Sequence, residues 1–144
     1  MSIPSSYRHA LDYGVYLRGV DTSDPGIRRP VPETAAADAA VFLITGQSNA
    51  VNHGERGFAA QRDVFNINLF DGELYLAADP LLGATGDGGS PWCLLGDRLI
   101  AAGFAPWVCL CPIAVGGASV AEWGPGGTWL AFGPRRFRLV DGAI

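Results

Sequence analysis

The sequence predicts one α/β domain built on a parallel sheet. Three apolar stretches have the composition of buried strands, at residues 39–45, 67–70 and 107–115, and a helical pattern separates the last two. Of the 144 residues, 49% are hydrophobic and 17% are charged. This composition supplies enough apolar material for a core and carries too little charge for a disordered chain.

The first strand, residues 39–45, is apolar without interruption, as expected of a strand that is covered on both faces. It ends at Gly46, so Ser48 is delivered to the carboxyl end of the strand, where the ligand sites of open α/β sheets gather. We expect a short helix or a turn directly after Ser48. A helix N-terminus there would offer its N–H groups and its dipole to an anionic group.

A hairpin is predicted after the second strand. Asp71 and Gly72 form a strong turn signal that closes the strand at residues 67–70, and residues 73–76 are expected to pair back onto it. The glycine-rich stretch 79–89 then reads as a long loop.

One helix is predicted between this loop and the third strand. Ser90 suits its N-cap, Pro91 suits its first position and Gly103 ends it. Four residues form the predicted apolar stripe of this helix: Leu94, Leu95, Leu99 and Ile100.

Residues 1–39 are expected to be a lead-in that packs on the outside of the domain, and residues 40–144 to form its main part. Tyr13, Val15 and Leu17 alternate in the way that is typical of a short strand. Residues 135–144 read as a helix without a stop signal after Ile144.

The charge of the chain excludes several functions. A net charge of −4 and an isoelectric point near 4.9 argue against a nucleic-acid partner, because phosphate contacts need clustered basic side chains. The chain contains no lysine, which excludes a P-loop lysine and Schiff-base chemistry.

The first residues lack the apolar core of a secretory signal, and no apolar stretch has the length of a membrane span. We therefore expect a cytoplasmic protein without a membrane partner.

No metal or other cofactor is predicted, because no cluster of His, Cys, Asp and Glu has the spacing of metal ligands. Cys109 and Cys111 share one face of a predicted strand and are poorly placed to bridge each other. Together with Cys93, they are expected to be buried, reduced thiols.

Three sequence blocks resemble a known family of hydrolases. The first block of the SGNH-type hydrolases, in the branch of sialate O-acetylesterase-like carbohydrate esterases, is similar to the run Gly46-Gln47-Ser48-Asn49-Ala50. Two further blocks follow in the family's order, at residues 88–99 and 113–123. The first of these begins Gly-Gly-Ser-Pro-Trp, and the second contains Val-Gly-Gly-Ala-Ser. The three blocks cover roughly residues 41 to 123, and their order makes the resemblance specific.

The resemblance implies a three-layer, flavodoxin-like fold and an enzyme that removes O-acetyl groups from carbohydrates without a cofactor. Ser48 would then be the nucleophile that forms an acetyl-serine intermediate, and the N–H groups of Ser48 and Gly89 would hold the oxyanion. A serine hydroxyl needs such donors, and also a base that removes its proton. From spacing alone, Gly88 and Gly89 could equally serve only a tight loop. The glycine spacing does not match that of a dinucleotide-binding loop.

The chain departs from the family pattern in its base. Family members carry a later His-Gln-Gly-Glu type block and an Asp-x-x-His block that supplies the base, and neither occurs in this sequence. The two histidines are His9 and His53. His53 follows Ser48 closely and is expected on a helix behind the nucleophile or on its flanking loop, so it is the less favoured base. The sequence therefore reads as the N-terminal, incomplete part of an esterase domain with impaired catalysis.

Four residues are weighed as substrate contacts: Gln47, Asn49, Gly117 and Trp123. The two amides could instead tie the turn to neighbouring loops, and Trp123 could either stack on a sugar ring or pack over the sheet edge. Ser119 is expected to hydrogen-bond within its own loop. Three carboxylates are expected on the solvated surface: Asp87, Asp97 and Glu122.

Two other functions stay open. The chain could be a non-catalytic carbohydrate-binding or structural module that keeps the esterase scaffold. It could also be another serine hydrolase, such as a lipase or thioesterase, which would require an apolar groove of lipid size.

Overall fold

The computed structural model describes residues 25–32, 38–68 and 71–123. The predicted strand around Tyr13, Val15 and Leu17 and the predicted helix at 135–144 lie outside these residues. Within them, no helix is long and apolar enough to cross a bilayer.

The described residues form a mixed α/β fold with a four-stranded, mostly parallel sheet. The elements in chain order are β1 Ala40–Ile44, β2 Val64–Asn68, β3 Glu73–Leu76, α1 Trp92–Ala101, β4 Val108–Pro112 and the short α2 Val120–Trp123. The strands lie in the order β1-β4-β2-β3. β4 pairs in parallel with both β1 and β2, whereas β3 runs antiparallel to β2.

The predicted hairpin is confirmed. Gly72 takes a φ of +78°, a conformation that costs other residues free energy. The Asp71 carboxylate accepts hydrogen bonds from the Asn68 amide, the Glu73 N–H and the Tyr75 hydroxyl, which bind the turn together. Burial, followed by this bond to Asp71, raises the pKa of Tyr75 above its usual value.

β2 begins earlier than predicted, at Val64, because its first three residues pair with β4. The strand was expected from the apolar run that starts at Ile67, and the buried Asn66 hides the earlier part of the strand from that pattern. Asn68 ends β2 as the hairpin turn begins.

The apolar face of α1 differs from the prediction. Its buried positions are Cys93 and Gly96, whereas the predicted Leu94 and Leu95 are 42% and 39% exposed. A Cβ at Gly96 would lie 2.7 Å from the methyl carbons of Val64, so a glycine lets the helix approach β2 this closely. Three further residues of the helix pack partly against the core: Trp92, Leu99 and Ile100.

The core lies on both faces of β4, whose five residues are all buried. Val108 and Leu110 face the cluster beneath α1, and Cys109 faces a second cluster with Phe65 and Leu74. All three cysteines are buried and reduced, as predicted. Burial raises the pKa of Cys93 to about 12, of Cys109 to about 11 and of Cys111 to about 12, so these thiols are poor nucleophiles at neutral pH.

The described part of the predicted lead-in contacts the far edge of the sheet. The Val31 N–H donates to the Leu74 carbonyl at 2.7 Å, and the Arg28 guanidinium donates to the Pro80 carbonyl at 2.9 Å. Burial is the main cause that lowers the pKa of Arg28. The division of the chain at residue 39 stays a prediction.

β1 is an edge strand of the described sheet, and only one of its faces is well covered. Phe42 and Ile44 pack toward α1, whereas Val41 and Leu43 are 64% and 49% exposed. The prediction that both faces of the first strand are covered is therefore wrong. An uninterrupted apolar run does not by itself distinguish a central strand from an edge strand, and an apolar edge favours self-association.

We expect the wild-type chain to self-associate through this face of β1, and Leu43→Lys to weaken the association with little loss of stability. The lysine stem can lie along the strand while its charge stays in water. Sedimentation velocity over a range of protein concentrations measures the association, and thermal unfolding measures the stability. The matched control is Ile44→Lys, which places the charge at a position only 3% exposed and should unfold the domain. A folded Leu43→Lys variant that associates like the wild type would contradict the prediction.

Candidate active site

Three loops meet at the carboxyl ends of β1 and β4. The first loop, residues 45–59, follows β1; the second loop, residues 77–91, precedes α1; and the third loop, residues 113–119, follows β4. They are joined by backbone hydrogen bonds of 2.9–3.0 Å: Val115 N–H to Gly46 O, Thr85 N–H to Ala114 O and Gly88 N–H to Asn52 O. The parallel pairing of β1 with β4 brings the first and third loops side by side.

Ser48 lies half-buried in the first loop, at the carboxyl end of β1, where the sequence predicts it. A turn follows it, closed by the Ala50 N–H donating to the Gln47 carbonyl at 2.8 Å. No helix forms between Thr45 and Asp63. The helix dipole considered for this position is therefore absent, because the first loop is bonded to the second loop instead of coiling on itself.

The hydroxyl and the N–H of Ser48 share one acceptor. The Gln47 side-chain oxygen Oε1 accepts the hydroxyl at 2.7 Å and the N–H at 3.0 Å. Ester hydrolysis needs both groups, the hydroxyl as nucleophile and the N–H as a donor to the oxyanion. Gln47, which the sequence suggests as a substrate contact, therefore hydrogen-bonds both the hydroxyl and the N–H of Ser48.

Gly89 is not positioned as the resemblance implies. Its N–H donates to the Gly54 carbonyl, and its carbonyl accepts the Gly54 N–H, both at 2.9 Å. A Cβ at Gly89 would collide with the backbone of Arg56 and Gly57. The tight-loop interpretation therefore accounts for this glycine. An oxyanion role for Gly89 would require its N–H to give up the bond to Gly54, since a single N–H does not serve both acceptors well.

His53 lies in the first loop and not on a helix, so only the loop alternative of its prediction is correct. Its Nδ1 is 2.8 Å from the Val51 carbonyl oxygen, and a carbonyl only accepts, so Nδ1 is the donor of this hydrogen bond. The ring packs against glycines of the other two loops. A Cβ at Gly86 would lie 2.6 Å from Cε1, and one at Gly116 would lie 3.5 Å from Nε2.

Two buried asparagines that sequence reasoning missed hold the second loop in place. The Asn52 amide donates to the Leu81 carbonyl at 2.8 Å and accepts the Leu81 N–H at 2.7 Å. Asn66 bonds Leu82 in the same two ways, at 3.0 and 2.7 Å. Each amide therefore imitates a backbone pairing within the core. In the sequence, only Asn66 could have been recognised, because a polar residue inside an apolar strand indicates a buried hydrogen-bonding role.

Asp79 ties the second loop to the first and changes how α1 begins. Its carboxylate accepts the Phe58 N–H at 3.0 Å, the Ser90 N–H at 2.9 Å and the Ser90 hydroxyl at 2.7 Å. The N-cap position is Pro91, one residue later than predicted, and a proline side chain has no hydrogen-bonding group. The Ser90 hydroxyl donates to Asp79 and its oxygen accepts the Trp92 N–H at a long 3.5 Å, so Ser90 still contacts the first turn of α1.

The other three residues weighed as substrate contacts lie in different places: Asn49 in the first loop, Gly117 in the third loop and Trp123 on α2. Asn49 is exposed, Gly117 takes a φ of +78° in the turn after β4, and Trp123 is half-buried on α2, where both of its interpretations stay open.

Ser119 bonds locally, as predicted: its N–H and hydroxyl donate to Glu122 at 2.7 and 2.9 Å. Glu122 is therefore half-buried and bonded at the start of α2, not freely solvated. Asp97 is also bonded, since it accepts the N–H groups of Gln61 and Arg62. Asp87 is exposed. Among the residues that the structure describes, no group of three His, Cys, Asp or Glu side chains could hold a metal ion.

No family model and no curated protein matches the sequence. A similar fold occurs in a protein from Arabidopsis thaliana whose structure was determined by X-ray crystallography, with a TM-score of 0.56 and 18% sequence identity. The alignment covers 70% of this chain and 50% of that protein, so the chain spans half of its length. At this identity the likeness concerns the fold alone.

We expect Asn52→Gly to destabilise the domain by roughly 1–3 kcal/mol, because the Leu81 N–H and carbonyl lose their partners inside the core. Glycine keeps the left-handed backbone of this position, where φ is +59°, so strain does not obscure the result. Chemical denaturation measures the change. The matched control is Asp38→Gly, at an exposed residue with a φ of +64°, which should change the unfolding free energy little. Equal effects of both substitutions would refute a role for the Asn52 amide.

Proposed function

We propose that the chain carries the nucleophile of a serine esterase that removes O-acetyl groups from carbohydrates, and that its sheet belongs to a three-layer, flavodoxin-like domain. The observation that carries this proposal is the arrangement at Ser48, whose hydroxyl and N–H converge on a single carbonyl oxygen. An ester carbonyl in that place would accept the N–H while its carbon lies next to the hydroxyl.

The surroundings of Ser48 support the same chemistry. The residue is half-buried at the carboxyl end of a strand, where three loops with many glycines pack closely against one another. The third loop lies next to Gly46, because the Val115 N–H donates to the Gly46 carbonyl. The three sequence blocks that resemble the carbohydrate esterases coincide with these loops: the first block lies in the first loop, the second block contains the end of the second loop, and the third block contains the whole of the third loop.

The proposed reaction has two steps. The Ser48 hydroxyl loses its proton to a base and attacks the acetyl carbon, and the sugar oxygen leaves with a proton from that base. Water then attacks the acetyl-serine, which releases acetate and restores the hydroxyl. The Ser48 N–H stabilises the oxyanion in both steps. The resemblance assigns the base to an Asp-x-x-His block that these 144 residues do not contain.

A second candidate is a non-catalytic carbohydrate-binding or structural module. The observation that favours it is the bond between the Gly89 N–H and Gly54, which leaves the oxyanion with fewer available donors. In either case an acetylated carbohydrate is the proposed partner, and a cytoplasmic location without nucleic-acid or membrane partners stays a prediction.

We expect a fluorophosphonate probe to label Ser48 in a longer form of the protein that supplies the Asp-x-x-His block, since such probes react with activated serine nucleophiles. Peptide mapping by mass spectrometry locates the adduct. Ser48→Ala should abolish labelling, and the matched control Ser119→Ala should leave it unchanged, because the Ser119 hydroxyl is bonded to Glu122. An adduct on Ser119, or labelling that survives in Ser48→Ala, would refute the assignment.

We expect the 144-residue chain to hydrolyse p-nitrophenyl acetate at least about 10³-fold more slowly than a longer form that supplies the Asp-x-x-His block, because loss of the base leaves only the contribution of the oxyanion donors and binding. Steady-state kinetics at equal concentrations of folded protein measures the ratio. His9→Ala and His53→Ala should each leave the rate of the chain unchanged. A large loss in either variant, or equal rates for the two forms, would identify a base within these residues.

A further inference from the structure

We propose that the Gln47 carboxamide is an internal occupant of the acyl site, which a substrate must displace before Ser48 can react. This inference rests on the proposed role of Ser48 as the nucleophile. It assigns Gln47 a competing role, in place of the substrate contact or loop tie that the sequence suggests.

The geometry of the two residues carries the proposal. The Gln47 side-chain oxygen accepts the Ser48 hydroxyl at 2.7 Å and the Ser48 N–H at 3.0 Å. The Ser48 N–H can only donate, so the carboxamide atom that faces it is the oxygen, and the hydroxyl then donates to the same oxygen. One sp² oxygen therefore holds both the nucleophile's proton and the first oxyanion donor.

The Gln47 carboxamide also resembles the proposed acetyl ester substrate in its chemistry. A carboxamide and an acetyl ester each present a planar carbonyl with a small substituent, and the same two donors of Ser48 would recognise either one. With the hydroxyl bonded to Gln47, its proton points at the acceptor and away from any base. Ser48 is consequently held in an unreactive state until the carboxamide leaves.

The backbone of the first loop keeps the carboxamide beside Ser48. Gly46 takes a φ of +140°, and the Gln47 carbonyl accepts the Ala50 N–H at 2.8 Å, so the turn that carries both residues is closed. A Cβ at Gly46 would lie 3.2 Å from the Ala50 side chain, which keeps this turn compact. Since Gln47 and Ser48 are neighbours in a closed turn, the side chain meets the serine at a high effective concentration.

The test compares the rates at which a fluorophosphonate labels Ser48 in a longer form of the protein that supplies the Asp-x-x-His block, because Ser48 needs that base to react. Gln47→Met keeps the length of the side chain and removes the carbonyl, so we expect labelling about two- to ten-fold faster, the range that one net hydrogen bond supplies. Gln61→Met is the matched control. Gln61 is exposed and lies before the amino end of β2, whereas Ser48 follows the carboxyl end of β1, so its replacement should leave the rate unchanged.

Gln47→Glu adds a signature that a merely structural role would not produce. An ionised carboxylate is the stronger acceptor, so the ratio of its labelling rate to that of the wild type should fall below one at neutral pH. The ratio should return toward one as the pH falls through the ordinary range of a carboxyl group, near pH 4.

The outcomes separate this inference from the proposed function. Labelling of Ser48 in every variant, with Gln47→Met equal to or slower than the wild type, overturns the inference and leaves Ser48 as the nucleophile. A Gln47→Glu ratio that does not change with pH also overturns it. If Ser48 is labelled in none of the variants while all of them stay folded, the proposed function fails, and the inference fails with it.

Discussion

The insertion of β4 between β1 and β2 is the constraint on which the rest of the described structure depends. β1 and β2 do not pair with each other but each pairs with β4, which is the last of the four described strands along the chain. All five residues of β4 are buried, and its two faces supply both hydrophobic clusters. The sheet therefore forms only when segments far apart in sequence meet, which is an entropically costly arrangement.

The same constraint builds the candidate site. Because β1 and β4 run in parallel, their carboxyl ends meet at one edge, and the Val115 N–H reaches the Gly46 carbonyl two residues before Ser48. The second loop has no strand to pair with at this edge, and buried amides take that role. Asn52 and Asn66 bond the two neighbouring residues Leu81 and Leu82, which satisfies backbone groups that would otherwise be unpaired in the core.

Donors in each of the three loops are already paired with other groups of the protein. The Ser48 donors face Gln47, the Gly89 N–H faces Gly54, and the Gly116 N–H donates to the Thr85 hydroxyl at 2.6 Å. Buried donors without partners are costly, so the closed loops satisfy them internally. Under the proposed function, a substrate would compete with these existing hydrogen bonds, and the ease with which each bond is released would decide which N–H groups stabilise an oxyanion.

The sequence by itself determined the α/β class, the hairpin at Asp71–Gly72, the position of Ser48 after a strand and the burial of the cysteines, because these depend on local periodicity, turn chemistry and apolar content. Tertiary structure decided the rest. Only the strand order showed that β1 is an edge strand of the described sheet. Only the close approach of Val64 showed that Gly96 lies on the buried face of α1, and only the contact between the first two loops showed that Gly89 is bonded to Gly54. These outcomes depend on contacts between residues that are distant in sequence, and local patterns carry no information about such contacts.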